Sequence, residues 1–170
     1  MNQCLSRPTS IGLENQFRVF GQPGTPTRYP CKREIKNQCA VRMSVALCRA
    51  MGTDIFGSYP YETLVHSEDC CIDVNSRHEK VRHITSAKSL FNYLRNRLGF
   101  GFIEIKAPGI IQGKKGIIYF EKCYTRGNGR KGNHIDYWDG NRYTNSAQGI
   151  NSGGNLRLFR KAEKVWFCQL

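Results

Sequence analysis

The sequence predicts an α+β fold in which two helices precede an antiparallel β-meander. Apolar residues recur at intervals of three and four in two early segments, 39–51 and 90–98, which is the helical period. From residue 102 onwards, short β-branched or aromatic runs are separated by Gly, Asn and Lys/Arg turns. Helices followed by consecutive short strands are typical of α+β proteins. Because 170 residues suit one domain, we expect residues 1–170 to form a single domain.

Both helices have recognisable ends. The first is predicted over Cys39–Met51, whose apolar residues form one stripe, and Gly52 follows where a left-handed cap belongs. The second begins after Thr85 or Ser86, either of which can cap it, and ends at Gly99. The first is therefore expected to be a core helix with a cysteine in its first turn.

The remaining segments are predicted to be loops and strands. Residues 1–36 contain four of the six prolines and are expected to wrap the domain as a loop, with one short strand at Phe17–Phe20. Residues 53–84 are mixed and polar and are expected to be irregular. The meander is predicted to contain these strands: Phe102–Lys106, Gly116–Tyr124, Asn133–Trp138, Asn141–Thr144, Leu156–Phe159 and Val165–Cys168.

The chain is strongly basic. It has 26 Lys and Arg residues against 13 Asp and Glu, a formal net charge of +13. Such a charge indicates an anionic partner, which could be nucleic acid, an acidic membrane surface or an anionic cell-wall polymer. No apolar run approaches the roughly 20 residues of a spanning helix, and the first residues lack the apolar stretch of a secretion signal. We therefore expect a soluble protein, made in the cytoplasm without a signal peptide and not inserted in a membrane.

Eight cysteines are many for a cytosolic protein of this size. Cys70, Cys71, His78 and His83 could offer four zinc ligands, but adjacent cysteines do not match the usual gap between ligands. No metal and no cofactor are expected. The sequence does not give the connectivity of any disulfides. A bridge from one of the adjacent pair would have one of three partners: Cys48, Cys123 or Cys168.

Cys39 is a candidate nucleophile because of its position at the start of a helix. The helix dipole and the unsatisfied amides of the first turn favour a thiolate over a thiol there. The cations Lys36 and Arg42 act in the same direction. The alternative is a buried structural cysteine, which packs like a small apolar residue.

A histidine late in the chain could serve as the base. His134 begins a predicted strand that ends in Asp139-Gly140, a strong signal for a two-residue hairpin turn. If the turn is tight, Trp138 faces Asn141 across the hairpin. For His134, the alternative to a catalytic base is an ordinary surface histidine on a strand.

The same hairpin register suggests an orienting residue. It places Asn145 directly opposite His134, about 5 Å away on one face of the sheet. Cys, His and Asn form one of the known sets of nucleophile, base and orienter. Asp136 lies two residues along the same strand face and is the second candidate for orienter. For Asn145 the alternative is ordinary turn chemistry.

Two stretches carry a resemblance to a known family. An early helix-capping cysteine and a late strand histidine are the layout of papain-like cysteine hydrolases. Asn37–Leu47 and Asn133–Trp138 resemble the two signature stretches of the type VI secretion amidase effectors, family 4, relatives of the NlpC/P60 peptidoglycan peptidases. The resemblance extends over most of the chain in size and element order. It implies a papain-like, NlpC/P60-like fold in which the cysteine helix packs on the meander bearing the histidine.

The resemblance also implies an activity and a site. Cys39 would be the nucleophile and His134 the general base, and the family's usual acidic third residue falls at Asn145. Family members cut the amide between the γ-carboxyl of D-glutamate and meso-diaminopimelate in peptidoglycan stem peptides. Cations near the nucleophile, Lys36 and Arg42 among them, are expected to bind the free carboxylates of such a peptide.

Partners and location follow from the same resemblance. Family members are antibacterial toxins that the type VI secretion machinery injects into the periplasm of a rival cell. The producer carries a cognate immunity protein that blocks the cleft. No specific nucleic acid is implied as a partner.

Two other functions remain open from the residues alone. A basic nucleic-acid-binding module would bind in a salt-sensitive, sequence-independent way and would not depend on Cys39. A phage lysin or a housekeeping cell-wall hydrolase of the same fold is the nearest enzymatic alternative.

Overall fold

An antiparallel sheet with helices on both faces makes up most of the described structure. A computed structural model describes residues 7–18, 38–52, 55–56, 63–64, 83–142 and 154–170. The helices within these ranges are α1 (Ser10–Arg18), α2 (Cys39–Met51), α3 (Ala87–Asn96) and α4 (Gly154–Lys161), with a 3-10 turn at Pro108–Ile111. The strands are β1 (Thr63–Leu64), β2 (His83–Ile84), β3 (Ile103–Ile105), β4 (Gly116–Thr125), β5 (Lys131–Trp138) and β6 (Lys164–Gln169).

The main sheet has the strand order β3-β6-β4-β5, with every neighbouring pair antiparallel. Because side chains alternate across a strand, Tyr119 and Ile135 face α2 and α3, whereas Phe120 and Trp138 face α4. The strand β5 is an edge of this sheet among the described strands. It also contacts α2, so the fold places the start of that helix beside an edge strand.

Both predicted helices are present, and their ends have the predicted chemistry. In α2, every residue from Cys39 to Cys48 is buried, which fits a core helix. Gly52 caps it in the left-handed conformation, with φ 66°, and donates to the carbonyls of Cys48 and Arg49. At the start of α3, the Ser86 hydroxyl accepts a hydrogen bond from the backbone N–H of Ser89 at 3.3 Å.

The prediction of a loop and strand near the N-terminus is wrong at Phe17, because that residue lies in α1. Leu13 and Phe17 are one helical turn apart and both are buried. Thr9 accepts a hydrogen bond from the Gly12 amide at the helix start. The helix is also held by Glu14, which accepts from Lys115 Nζ at 2.7 Å, a bond that lowers the pKa of the Glu14 carboxyl.

The predicted strand Leu156–Phe159 is also wrong, because this segment lies in α4. The alternation Leu156-Arg157-Leu158 resembles a strand pattern over only a few residues. In the structure Leu158 is buried, and the Phe159 ring packs edge-on against Phe120 with centroids 5.2 Å apart. Tertiary packing on the sheet therefore determines the conformation here.

The other strand predictions agree with β3, β4, β5 and β6 to within a few residues. Asn141 and Arg142 form a bend rather than a strand, and the rest of the predicted strand, 143–144, lies outside the described residues. The segment predicted to be irregular, 53–84, contributes β1 and β2, which pair with each other.

The described ranges include several cysteines and all the helices given above. Cys123 and Cys168 are buried thiols without a disulfide, whereas Cys70 and Cys71 lie outside these ranges. Of the other two residues considered above as zinc ligands, His78 also lies outside these ranges, and only the backbone of His83 is described. Within the same ranges, every helix is too short or too polar to cross a membrane.

A close approach in the sheet gives a test of this fold. A Cβ atom on Gly116 would lie 2.0 Å from the backbone oxygen of Cys168 on β6. We expect Gly116→Ala to lower the free energy of unfolding by about 2–3 kcal/mol, because β4 and β6 would have to separate. Gly127→Ala is the matched control: a Cβ there meets nothing within 4 Å, so the change should stay within about 0.5 kcal/mol. Urea unfolding measures both, and equal effects would contradict the β4–β6 register.

Candidate active site

Cys39 lies where α2 begins, and its side chain is buried. The amides of a first helical turn have no partner within the helix and point outwards from its start. They give the start of the helix, where Cys39 lies, a partial positive charge. The packing of α2 on β5 brings this end of the helix to the sheet edge.

His134 lies on β5 and is fixed by a neighbour on the same strand. Its Nε2 atom is 3.1 Å from Oδ2 of Asp136. The other carboxylate oxygen of Asp136 accepts the backbone N–H of Tyr137 at 2.8 Å. Both the ring and the carboxylate are buried, so Asp136 holds the imidazole in one orientation. Because imidazole has two ring nitrogens, Nδ1 is left to face another partner.

That partner is Cys39, which is hydrogen-bonded to the His134 ring. Burial raises the pKa of the Cys39 thiol and is the largest single effect on it. The charge and hydrogen bond of His134 outweigh it, together with the backbone amide of Ile135 and the charge of Arg42. The net result is a pKa below the ordinary value of a thiol, which favours the reactive thiolate.

The pKa of His134 is shifted in the opposite direction, upwards. Burial lowers the pKa of His134, but the negative charge of Cys39 and the hydrogen bond that the ring donates to Asp136 outweigh it and raise this pKa to about 9. At neutral pH the imidazole is therefore protonated, and its charge favours the thiolate form of Cys39. The two residues form a buried, hydrogen-bonded pair with a carboxylate behind the ring.

A second thiol near the pair has the opposite character. Burial and, to a smaller extent, the charge of Cys39 together raise the pKa of Cys123 to about 12. Cys123 therefore stays protonated at physiological pH. Two neighbouring cysteines thus differ in reactivity because only one of them has a cationic partner.

The structure brings together three of the predicted site residues: Cys39, His134 and Asp136. Arg42 lies one helical turn after Cys39 and is buried, at 3% exposure, so its charge acts on the thiol. Lys36 and Asn145 lie outside the described residues.

The predicted hairpin turn is wrong by one residue. The backbone N–H of Asp139 donates to the carbonyl of Arg142 at 3.0 Å, so the turn centres on Gly140 and Asn141. The Asp139 side chain causes this shift by accepting both the Asn141 and the Arg142 amides. The predicted facing of Trp138 and Asn141 does not occur, and that facing was the basis for placing Asn145 opposite His134.

One contributor was not predicted from the sequence, namely the backbone amide of Ile135, which hydrogen-bonds the Cys39 sulfur. An edge strand has amides that do not pair with its neighbour in the sheet. Recognising β5 as an edge would have indicated such a donor.

A helix that starts with a buried cysteine, packed beside a strand histidine that is itself held by a carboxylate, defines a papain-like cysteine hydrolase. The family model described as "Type VI secretion system (T6SS), amidase effector protein 4" matches residues 35–168. The chain therefore belongs to this family of amidase effectors. It is an enzyme, a peptidoglycan amidase of the cysteine-peptidase type. No curated protein matches the chain.

Solved structures agree on the fold. The effector Tae4 from Enterobacter cloacae matches with a TM-score of 0.63 and 20% identity, over 97% of this chain and 98% of that chain. The Tae4–Tai4 effector–immunity complex from the same species matches with a TM-score of 0.62 and 21% identity, over 97% and 99%. The Tae4/Tai4 system from Salmonella typhimurium matches with a TM-score of 0.61 and 19% identity, over 96% and 98%. The predicted family and the predicted papain-like α+β fold are confirmed.

The ion pair gives a second testable prediction. Because the thiolate is the form that iodoacetamide attacks, alkylation of Cys39 should reach half its maximal rate at a pH below that of an unperturbed thiol. His134→Ala should move this midpoint above that reference, since burial remains while the cation is lost. Peptide mass spectrometry at several pH values measures the rate at Cys39 itself. The denatured chain supplies the reference, and coincident midpoints would contradict the ion pair.

Proposed function

We propose that this chain hydrolyses the amide between the γ-carboxyl of D-glutamate and meso-diaminopimelate in peptidoglycan stem peptides. The hydrogen-bonded pair Cys39–His134, with Asp136 behind the ring, is the observation that supports a cysteine amidase mechanism. The choice of bond follows the family. We further propose that residues 1–170 act as one amidase domain.

In the proposed mechanism the reaction has an acylation and a deacylation half. The Cys39 thiolate attacks the amide carbon, and the backbone amides at the start of α2 stabilise the oxyanion. The His134 imidazolium gives its proton to the leaving amine as the C–N bond breaks, which leaves a thioester. Neutral His134 then takes a proton from water, the resulting hydroxide equivalent attacks the thioester, and the acid product and the Cys39 thiolate are released.

Asp136 is the proposed orienter of the imidazole. Its carboxylate is already fixed by the Tyr137 amide and can accept only from a protonated Nε2. The neutral ring then carries its proton on Nε2 and has its unprotonated Nδ1 toward Cys39. This is the tautomer that the base needs. Asn145 stays the second candidate as a prediction from the sequence, and it lies outside the described residues.

Substrate recognition is proposed to depend on cations around the cleft. A stem peptide carries free carboxylates near the scissile bond, and a basic rim would concentrate and orient it. Lys36 keeps its proposed role as one such cation. Arg42 is proposed to act mainly through the thiolate, because its side chain is almost wholly buried.

The comparisons also suggest partners. Solved relatives include complexes of an effector with its immunity protein. We propose that a cognate immunity protein likewise inhibits this chain. We propose that the amidase itself passes through the type VI secretion machinery into the periplasm of a target cell, where peptidoglycan is accessible.

The proposed function predicts loss of activity when the nucleophile is removed. Cys39→Ala should reduce the release of peptides from purified Gram-negative sacculi by more than about a thousandfold, because no acyl-enzyme can form. Cys168→Ala removes a buried thiol elsewhere and should digest at close to the wild-type rate. Mass analysis of the muropeptides identifies the new termini. Activity retained in Cys39→Ala would overturn the mechanism, and termini at another bond would overturn the proposed specificity.

The choice of orienter gives a further prediction. In Asp136→Asn, the amide can donate to Nε2 and so favour the wrong tautomer, and we expect kcat to fall about 10²–10⁴-fold. Asn145→Ala should lower kcat less than about threefold if Asp136 is the orienter. Steady-state kinetics on a purified muropeptide measure both. The reverse order of effects would assign the orienting role to Asn145.

A further inference from the structure

The hairpin that carries the histidine contains a bulge beside it. Regular pairing of β4 and β5 runs as far as the pair Phe120 and His134, and it resumes at the pair Tyr124 and Gly132. Three residues of β4, at positions 121–123, therefore face the single residue Asn133 of β5. Two residues of β4 are extra, and they lie directly opposite the residue that precedes His134.

The Asn133 side chain closes this bulge. Lys122 has φ 49°, a left-handed conformation that is unusual for a residue with a side chain. Its backbone N–H points across the gap and donates to Oδ1 of Asn133 at 2.9 Å. On the other side of the gap, the Cys123 thiol contacts the carbonyl of Gly132 at 3.7 Å. The Lys122 amide thus bonds the side-chain oxygen of Asn133, whereas in regular pairing it would bond a backbone carbonyl.

The bulge affects the part of β5 that forms the site. The two residues after Asn133 are His134 and Ile135, which contact Cys39 through the ring and through the backbone amide. Bulges bend a strand, increase its twist and redirect neighbouring side chains, and they are common beside active sites. The His134 ring also lies against the Phe120 ring, with centroids 6.3 Å apart, at the last regular pair before the bulge.

We propose that Asn133 is a positioning residue for the amidase reaction, which clamps the β4 bulge so that His134 and the Ile135 amide meet Cys39. This inference rests on the proposed function for its kinetic consequence. Its structural consequence, the meeting of ring, amide and sulfur, can be measured without substrate.

Replacing Asn133 tests the clamp. Asn133→Ala removes the acceptor, and Asn133→Gln keeps the amide but moves its oxygen by one methylene. We expect both to lower kcat about 10–100-fold with KM changed less than about twofold, because a small misplacement of the base affects the reaction more than binding. We also expect the pH midpoint of Cys39 alkylation to rise in both. Asn133→Asp restores an acceptor oxygen and should recover most of kcat.

The control has the same chemistry in the same hairpin. Asn128 Oδ1 accepts the backbone N–H of Arg130 at the exposed tip, away from the bulge. Asn128→Ala should leave kcat and the alkylation midpoint unchanged. The titratable groups around the pair are kept in every variant: Asp136 on β5, Arg42 on α2, and Tyr119 and Cys123 on β4.

The outcomes separate this inference from the proposed function. A raised midpoint in Asn133→Ala and Asn133→Gln, together with rescue by Asn133→Asp, supports the clamp even if the wild type releases no stem peptide. The clamp is overturned if the wild type is active and folded Asn133→Ala has the same kcat and the same pH midpoint of Cys39 alkylation. Thermal unfolding shows whether each variant folds, and if the alanine variant does not, the same criteria apply to Asn133→Gln.

Discussion

The buried, hydrogen-bonded pair of Cys39 and His134 is the interaction on which the rest of the site depends. Both side chains are withdrawn from water, and burial alone would make both neutral. Each charged form is favoured because the other residue lies beside it, with Asp136 hydrogen-bonded to the far side of the ring. Removing one member would leave an uncompensated buried charge, which is far more costly than the pair itself. The contact between the two side chains therefore favours the ionised pair before any substrate arrives.

The fold provides this arrangement through two features of the packing. The packing of α2 on β5 brings the positive end of a helix to a sheet edge, where the backbone amide of Ile135 bonds the Cys39 sulfur. The β4 bulge then lies opposite the residue before His134, where it bends and twists the edge strand. Cys123, which lies in this bulge, lacks a cationic partner and stays protonated. Proximity to the site is therefore not enough to activate a thiol.

Much of this architecture could be predicted from the sequence, because the deciding signals are local. The apolar stripe and Gly52 define α2, and the resemblance at Cys39 and His134 gives the family. What could not be predicted depends on contacts distant in sequence. Leu158 lies in a helix because its packing on the sheet overrides a short alternating pattern. The turn is the exception, because a local contact moves it by one residue: the Asp139 side chain accepts the amides of Asn141 and Arg142. The Asn133 clamp has no sequence signal, since it exists only opposite the extra residues of β4.

The ionisation state of His134 tests the central claim most directly. The chain has four histidines, and the ¹⁵N resonances of ring-labelled histidine can be assigned to His134 with a His134→Ala variant. The ion pair predicts that both ring nitrogens are protonated at pH 7, that the ring titrates with a pKa near 9, and that this pKa falls when Cys39 is replaced by alanine. A neutral ring at pH 7 that titrates at the ordinary pKa of histidine, with or without Cys39, would contradict the account.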